Sequence, residues 1–266
     1  MLRFCSLASG SGGNATLIEA RSSADGPTTR VLVDCGLTLK RLTASLARRG
    51  CTPGDIDALF VTHEHSDHVA GAWALRRRHG TALWMSRGTR DASVGDDEDA
   101  AASVHVACDG VPITIGALTM RPFAVPHDAA EPLQLVCSTA HARVGVITDL
   151  GAPDDRVIAA LQGCDALLLE CNHDRAMLQH GPYPAWLKRR IGGARGHLAN
   201  DQSAALLAAV RHNALRHVLA AHLSRQNNAP DLALAALTRA LPTGSRAPAL
   251  QVADPDHGSA WFELAA

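Results

Sequence analysis

Residues 62–68 read Thr-His-Glu-His-Ser-Asp-His and place the pattern H-x-H-x-D-H between two regular segments of the chain. The apolar run Ile56–Thr62 predicts a buried strand, and the spacing of apolar residues in Ser66–His79 predicts a helix. Such a pattern arises by chance in roughly three of a thousand chains of this composition, so it is specific. The competing interpretation, a polar strand-to-helix loop with Asp67 as the N-cap, is disfavoured by that low frequency.

The histidines and the aspartate of this pattern suit a pair of metal ions. In an extended segment His63 and His65 point to the same side, because side chains repeat every two residues, so both can bind one cation. Asp67 and His68 begin the helix and are turned away from that pair, so a second cation can lie beside the first. Imidazole and carboxylate ligands favour zinc, iron or manganese over magnesium or calcium. The sequence therefore predicts a site for two divalent ions, Zn, Mn or Fe.

Single polar residues follow three later apolar runs. His127, Asp149 and His222 each end a segment that predicts a strand, although one such residue alone is more typical of a turn or cap. Together they supply what two cations still need when each ion has three protein ligands and one carboxylate is shared. Asp34, after the run Val31–Val33, is expected to orient a ligand imidazole without binding metal itself, or equally to cap a turn.

The overall composition excludes several classes of protein. With 47% hydrophobic and 19% charged residues among 266, the chain is not disordered, collagen-like or a coiled coil. The seven cysteines are never spaced C-x-x-C, which argues against a disulfide framework or a thiolate zinc site. A net charge of −1 excludes a molecule-wide basic field but allows a local basic patch. Without a secretory signal or a membrane-spanning run, we expect a cytoplasmic protein with no membrane partner.

Apolar runs and turns divide the chain into two blocks that each begin with strands and add helices later. Between them, five weaker strands look like an antiparallel meander, namely Leu83–Ser86, Val111–Ile115, Leu118–Val125, Leu133–Thr139 and Arg143–Asp149. Two such blocks predict two sheets packed face to face with helices outside. We find no linker that would separate domains and expect a single domain over residues 1–266.

The ligand pattern and several other segments resemble a known family. H-x-H-x-D-H followed by isolated His, Asp and His at strand ends resembles the metallo-β-lactamase superfamily over nearly the whole chain. Further segments resemble its YycJ/WalJ branch, namely residues 9–14, 34–36, 123–128, 148–151, 170–174, 196–200 and 223–228. The sequence departs from that branch at Cys35, Leu150, Ala199 and Gln226, none of which is a candidate ligand.

The resemblance implies a fold and a division of the ligands. The fold is of the α/β class, an αβ/βα four-layer sandwich in which two mixed sheets lie face to face, helices lie outside and the site lies at one edge between the sheets. Carried over position by position, the first metal ion is bound by His63, His65 and His127. The second ion is bound by Asp67, His68 and His222, and Asp149 bridges the two.

The resemblance also implies an activity. The branch is associated with 5′-to-3′ exonuclease activity on DNA, so we expect a dinuclear phosphodiesterase that attacks nucleic-acid ends, DNA more than RNA, with a hydroxide between the ions as nucleophile. The residues expected in catalysis are Asp67, as a ligand, and His197, as proton donor to the leaving alkoxide. Related phosphodiesterases place a histidine that binds no metal in a comparable position. The competing role for His197 is a cap before the helix near Asn200.

A few further residues are candidates for substrate contacts. His173 and its neighbour Asn172 suit a phosphate, or else hold a loop. Arg225 and the basic residues between 188 and 195 suit a positive rim, or else a solvated surface. The glycine-rich turn that ends at Asn14 offers N–H groups to a phosphate, although most such turns are only turns.

Two other functions fit the same residues. A small cyclic phosphodiester is the alternative substrate, which the near-neutral charge and the 3% aromatic content favour. A metal-binding regulatory protein without turnover is the other alternative, although all seven candidate ligands are present. The sequence leaves open whether the chain forms a homodimer.

Overall fold

The computed structural model describes residues 1–95, 97–241 and 247–264, and two mixed β-sheets form the centre of this part of the chain. The strands of the first sheet are β1 (Leu2–Ala8), β2 (Ala15–Ala20), β3 (Thr29–Val33), β4 (Ala58–Phe60), β5 (Ala82–Ser86), β6 (His105–Ala107) and β14 (Phe262–Leu264). Their order is β14-β1-β2-β3-β4-β5-β6. Pairing is antiparallel from β14 to β3 and parallel from β3 to β6.

The second sheet repeats this division into an antiparallel and a parallel half. Its strands are β7 (Ile113–Ile115), β8 (Leu118–Ala124), β9 (Leu133–Ser138), β10 (Arg143–Ile147), β11 (Ala166–Glu170), β12 (His217–Ala221) and β13 (Ala249–Val252). They lie in the order β13-β12-β11-β10-β9-β8-β7, antiparallel from β7 to β10 and parallel from β10 to β13. Because β8 and β10 both pair antiparallel with β9, they run in one direction with β11 and β12. The carboxyl ends of these four strands therefore meet at one edge.

Helices cover the outer faces of both sheets. They are α1 (Leu39–Ala47), α2 (Ser66–Val69), α3 (Ala72–His79), α4 (Arg87–Val94), α5 (Glu98–Ala102), α6 (Asp155–Leu161), α7 (Arg175–His180), α8 (Ala185–Ile191), α9 (Asn200–Val210) and α10 (Pro230–Ala240). Leu42 of α1 and Leu75 of α3 belong to the apolar cluster on the first sheet, and Leu207 of α9 and Leu237 of α10 to the cluster on the second. No helix of the described residues has the length and apolar character needed to cross a lipid bilayer.

A third apolar cluster lies between the sheets. It joins Phe4 and Phe60 from the first sheet to Leu135 and Leu168 from the second, and all four side chains are at most 1% exposed. Burial of such faces is the main source of stability in a two-sheet fold. The predicted architecture, two mixed sheets face to face with helices outside, is confirmed.

One strand assignment was wrong. Leu83–Ser86 was predicted as part of the antiparallel meander, but β5 pairs parallel with β4 in the first sheet. The other four predicted strands do form the meander, as β7 to β10. An apolar run identifies a strand but carries no information about its neighbour, which depends on how the intervening helix returns the chain.

The helix predicted over Ser66–His79 is interrupted. It is divided into α2 and α3 at Gly71, where a Cβ would lie 2.1 Å from the Leu37 carbonyl oxygen. The close backbone contact at Gly71 requires a residue without a side chain. The break leaves α2 as a single turn that presents Asp67 and His68 at the edge of the first sheet.

Candidate metal centre

Every candidate ligand lies in the segment that follows the carboxyl end of a strand, and Asp67 and His68 lie on the helical turn α2. Residues 62–68 follow β4, His127 follows β8, Asp149 follows β10 and His222 follows β12. The carboxyl ends of β8, β10 and β12 meet at one edge of the second sheet, and the segment after β4 of the first sheet lies against them, so four segments distant in sequence converge there. The structure brings the whole predicted ligand set together, namely His63, His65, Asp67, His68, His127, Asp149 and His222.

Three residues at this edge have a left-handed backbone. Asp34 has φ 61°, Asp149 has φ 55° and His222 has φ 56°, and they are the non-glycine residues with positive φ in the part of the chain that the structure describes. Each such conformation costs about 1–3 kcal/mol and persists only where surrounding contacts impose it. Backbone strain is thus concentrated at the residues that point into the centre.

A first group of ring nitrogens has the spacing of ligands to one ion. His63 Nε2 lies 3.0 Å from His65 Nδ1, and His127 Nε2 lies 3.3 Å from the same atom. Nitrogens bound at about 2.1 Å to one tetrahedral zinc ion lie about 3.4 Å apart. The Nδ1–H of His127 donates to the carbonyl of Gly196 at 2.9 Å, which leaves its Nε2 free for a cation.

A second group lies beside the first, with Asp149 between them. Asp67 Oδ2 is 3.6 Å from His68 Nε2 and 3.4 Å from His222 Nε2. The Oδ2 atom of Asp149 is 2.5 Å from His68 Nε2 and 3.5 Å from His63 Nε2. Its other oxygen, Oδ1, is 3.1 Å from His222 Nδ1. Asp149 therefore contacts histidines of both groups.

The chemistry of these residues fits divalent metal ions. Both oxygens of Asp149 are buried, and neither accepts a hydrogen bond of good geometry in the described part of the chain. Burial raises the pKa of Asp149, but the charges of His222 and His68 outweigh it and hold the pKa well below 3.8. Burial and the charge of His68 lower the pKa of His63 well below 6.5, so His63 is neutral at pH 7, the form that binds a metal.

Asp34 orients the histidines of the 62–68 segment. Its Oδ2 atom accepts a hydrogen bond from His68 Nδ1 at 2.8 Å, which directs His68 Nε2 toward Asp149. Its carboxylate also accepts hydrogen bonds from the backbone N–H and the hydroxyl of Thr62. The Thr62 oxygen in turn lies 3.0 Å from His63 Nδ1. Thr62 is a residue that the sequence analysis missed, and its position next to His63 was the available signal.

Glu170 was also missed, and it connects two predicted residues. Its Oε1 atom lies 2.8 Å from His197 Nδ1 and 3.2 Å from His222 Nδ1, while Oε2 accepts hydrogen bonds from the backbone N–H groups of Leu150 and Leu198. The carboxylate is fully buried. His197 Nδ1 also lies 2.9 Å from Asp149 Oδ1, so Nε2 is the nitrogen left to face a substrate. The signal for Glu170 was a carboxylate that ends an apolar strand.

The four candidate substrate residues differ in where they lie. Asn14 Nδ2 is 3.0 Å from His68 Nε2, and Asn172 Nδ2 donates to the His222 carbonyl, so both support candidate ligands. Arg225 is exposed and pairs with an aspartate of the carboxyl-terminal region at 2.8 Å. His173 is buried and lines a separate cavity.

Part of the predicted basic rim is occupied by contacts within the protein. Arg195 donates to the carbonyl of His127 at 3.1 Å, and Arg190 pairs with Asp128 at 2.5 Å. These contacts hold the loop that carries His127. Lys188 and Arg189 precede Arg190 on α8 and line the same cavity as His173.

Replacing Glu170 with glutamine is expected to weaken metal binding by about 10- to 100-fold, because partners that orient ligand imidazoles have effects of this size. A glutamine offers one oxygen where the glutamate accepts four hydrogen bonds, so His222 loses its fixed orientation. Titration of the apoprotein with zinc or manganese, followed by calorimetry, measures the affinity.

The matched control is Glu19→Gln. Glu19 is also fully buried and pairs with Arg3 and Arg30, but it lies outside the centre. Both variants are expected to lower the melting temperature, and only Glu170→Gln is expected to lower metal affinity. Equal metal affinities in the two variants would contradict the role given to Glu170.

The metal-free protein is expected to lose stability as the pH rises from about 6.5 to 10. Burial lowers the pKa of His222 and His197, but nearby Asp149 and Glu170 outweigh it and raise the values to about 9 and about 10. A histidine whose pKa is raised in the folded state contributes its full stabilisation at pH values below its unfolded pKa of 6.5. This contribution is lost as the pH rises through the folded-state pKa. Thermal melts in chelator should show a fall of about 5 °C or more. If the melting temperature of His222→Gln depended on pH in the same way as that of the wild type, the raised pKa of His222 would not be the cause.

Comparisons with known proteins agree with this geometry. The family model of the beta-lactamase superfamily domain matches residues 29–222. Exodeoxyribonuclease YycJ of Bacillus anthracis is 33% identical over 246 residues, which cover 90% of this chain and 89% of that protein. Exodeoxyribonuclease WalJ of Streptococcus pneumoniae is 32% identical over 234 residues, 87% of this chain and 85% of that protein.

A solved structure also has this fold. The metallo-beta-lactamase fold protein YhfI from Bacillus subtilis superposes with a TM-score of 0.69, covers 98% of each chain and is 17% identical. At that identity the match concerns the architecture alone. The two-sheet architecture therefore recurs in a protein of very different sequence.

Proposed function

Because this chain belongs to the metallo-β-lactamase superfamily, in the group that includes YycJ and WalJ, and is a metal-dependent hydrolase, we propose that it is a dinuclear exonuclease that degrades DNA from the 5′ end. The observation that carries the proposal is the position of Asp149 between two groups of ring nitrogens. The relatives' names support DNA as the substrate class. The resemblance to this family found in the sequence is confirmed.

We assign the ligands to two ions by their spacing. His63, His65 and His127 would hold the first ion, Asp67, His68 and His222 would hold the second, and Asp149 would be shared. When bound, two divalent ions, Zn, Mn or Fe, acidify a water molecule to serve as the nucleophile and neutralise charge on the phosphate. The residues around them hold the imidazoles in the orientation that this chemistry needs.

The chain's own proton donor is His197. Its Nδ1 atom is held between Glu170 and Asp149, and its side chain is 18% exposed, so Nε2 is available at the mouth of the centre. An alkoxide that leaves from DNA needs a proton, and a positioned imidazole can supply it. In this role Glu170 and Asp149 act on His197 by stabilising its protonated form.

A substrate panel tests the proposal. The metal-loaded protein is incubated with 5′-phosphorylated duplex DNA, single-stranded DNA and RNA, with Zn, Mn and Fe supplied in turn. We expect mononucleotides to be released from the 5′ end of DNA. Release of nothing from any polymer would reject the nuclease assignment, and turnover of only small cyclic or chromogenic diesters would select the small-substrate alternative.

A further inference from the structure

A cavity of about 350 Å³ opens between α7 and α8. It is lined by His173, Arg175, Leu178, Gln179, Lys188, Arg189 and Gly192. This volume is at the lower end of the range for small-ligand pockets. None of the residues assigned to the metal ions lines it.

His173 is a buried side chain of this cavity, and its Nδ1 atom has no hydrogen-bond partner among the described residues. It is 1% exposed, and its Nδ1 atom is buried and makes no hydrogen bond to any residue that the structure describes. A buried imidazole without a partner costs free energy, so such a group is rarely left unused. Burial lowers the pKa of His173 to about 4, so the ring is neutral at pH 7 and carries one N–H donor.

The charged side chains of the cavity all carry positive charge. Arg175, Lys188 and Arg189 line it, and no carboxylate is among the lining residues. Arg175 pairs with Asp201 at 2.8 Å, and Lys188 donates to the Gln179 carbonyl at 2.8 Å. Arg189 makes no ion pair or hydrogen bond through its side chain within residues 1–95, 97–241 and 247–264. This chemistry selects an anion that accepts several hydrogen bonds, which a phosphate does.

His173, which lines the cavity, lies close to residues of the metal centre. His173 lies three residues after Glu170, so their Cα atoms are at most about 11 Å apart. It also forms a β-bridge with Ala199, two residues after His197. The cavity is therefore within reach of a nucleic-acid strand that has another phosphate at the centre.

An exposed aromatic side chain lies on the same helix. Trp186 is 62% exposed and is three residues before Arg189, so both lie on one face of α8. An exposed indole next to a phosphate-binding group is the combination that binds single-stranded nucleic acid, because bases stack on the ring.

We propose that this cavity, which we call the α7–α8 subsite, binds a phosphate of the DNA strand next to the scissile one, with Lys188 and Arg189 as the charged contacts and His173 as the buried donor. The proposal rests on the proposed exonuclease function. The phosphate is either the terminal 5′-phosphate or an internal phosphate of the backbone, which have the same chemistry.

The test compares Lys188→Ala/Arg189→Ala with wild type on single-stranded oligodeoxynucleotides that carry a 5′-phosphate or a 5′-hydroxyl. We expect KM for DNA to rise about tenfold, with kcat nearly unchanged, and the dependence of binding on salt to decrease by about one phosphate contact or more. A rise only for the 5′-phosphorylated strand identifies the terminal phosphate, and a rise for both identifies an internal one. His173→Asn should raise KM in the same way. An unchanged kcat would show that the metal centre of this variant is intact.

The matched control is Arg77→Ala/Arg78→Ala. These arginines are exposed on α3, on the other sheet, and their removal subtracts the same charge. An equal KM for wild type and Lys188→Ala/Arg189→Ala, or an equal rise in the control, overturns the subsite.

Binding without turnover separates the subsite from the proposed function. Fluorescence anisotropy of the 5′-phosphorylated oligonucleotide in chelator measures binding alone. If the metal-loaded wild type fails to degrade DNA, the exonuclease function is wrong. The subsite is then judged by anisotropy, where a weaker affinity of Lys188→Ala/Arg189→Ala than of the control supports it and equal affinities refute it.

Discussion

Replacing Asp149 with asparagine is expected to reduce phosphodiester hydrolysis by about a thousandfold or more. The carboxylate is buried between His68, His63 and His222, and its charge is the one that both ligand groups share. A metal centre contributes several kcal/mol to transition-state stabilisation, and about 4 kcal/mol corresponds to a thousandfold in rate. Rates on DNA and metal content by elemental analysis are measured on the same preparations, and both are expected to fall.

The control for this substitution is Asp91→Asn. Asp91 is an exposed aspartate that pairs with Arg90 on α4, so its amide variant is expected to keep both rate and metal content. If Asp149→Asn bound metal and hydrolysed DNA as wild type does, the centre described here would not be the reacting site. Thermal melts of both variants distinguish loss of the site from loss of the fold.

Replacing His197 with alanine is expected to lower hydrolysis of DNA by about a hundredfold or more, the usual size of a lost general acid. The effect depends on the leaving group. An alkoxide leaves from DNA and needs a proton, whereas nitrophenolate leaves from bis(4-nitrophenyl) phosphate without one. The chromogenic diester should therefore be hydrolysed by His197→Ala at close to the wild-type rate.

The ratio of the two activities separates proton donation from a structural role. His197 lies 2.9 Å from Asp149 Oδ1, so its loss has a second route to lower activity, through a displaced ligand. A displaced ligand would lower the rate of hydrolysis of both substrates equally, and it would also lower the metal content. Equal losses on DNA and on the chromogenic diester would therefore contradict the assignment of His197 as the proton donor.

Much of the secondary structure could be predicted from the sequence. The strands Leu118–Ala124 and Leu133–Ser138 lie within the apolar runs Leu118–Val125 and Leu133–Thr139 that predicted them. A short apolar run bounded by turn residues is a direct signal of a buried strand. The short helix Arg175–His180 was not predicted, because six residues with one buried position give too little periodicity.

Some residues of the functional site could be predicted from the sequence, and others could not. His63, His65, Asp67 and His68 could be grouped from sequence because they are neighbours on a strand end and one helical turn. Glu170 could not be, because its partners His197 and His222 lie 27 and 52 residues further along the chain. In the sequence, Glu170 simply ends the apolar run of β11, and that pattern indicates the end of a strand rather than a functional residue.

The sequence by itself determined which residue types bind metal and how they are spaced within each loop, because the periodicity of strands and helices fixes the direction of nearby side chains. Only the tertiary structure decided that four segments meet, that Asp149 lies between His63 and His222, and that cationic residues line a cavity between α7 and α8. Contacts between distant segments depend on strand order and direction, and these result from packing the whole chain into two sheets around shared apolar cores.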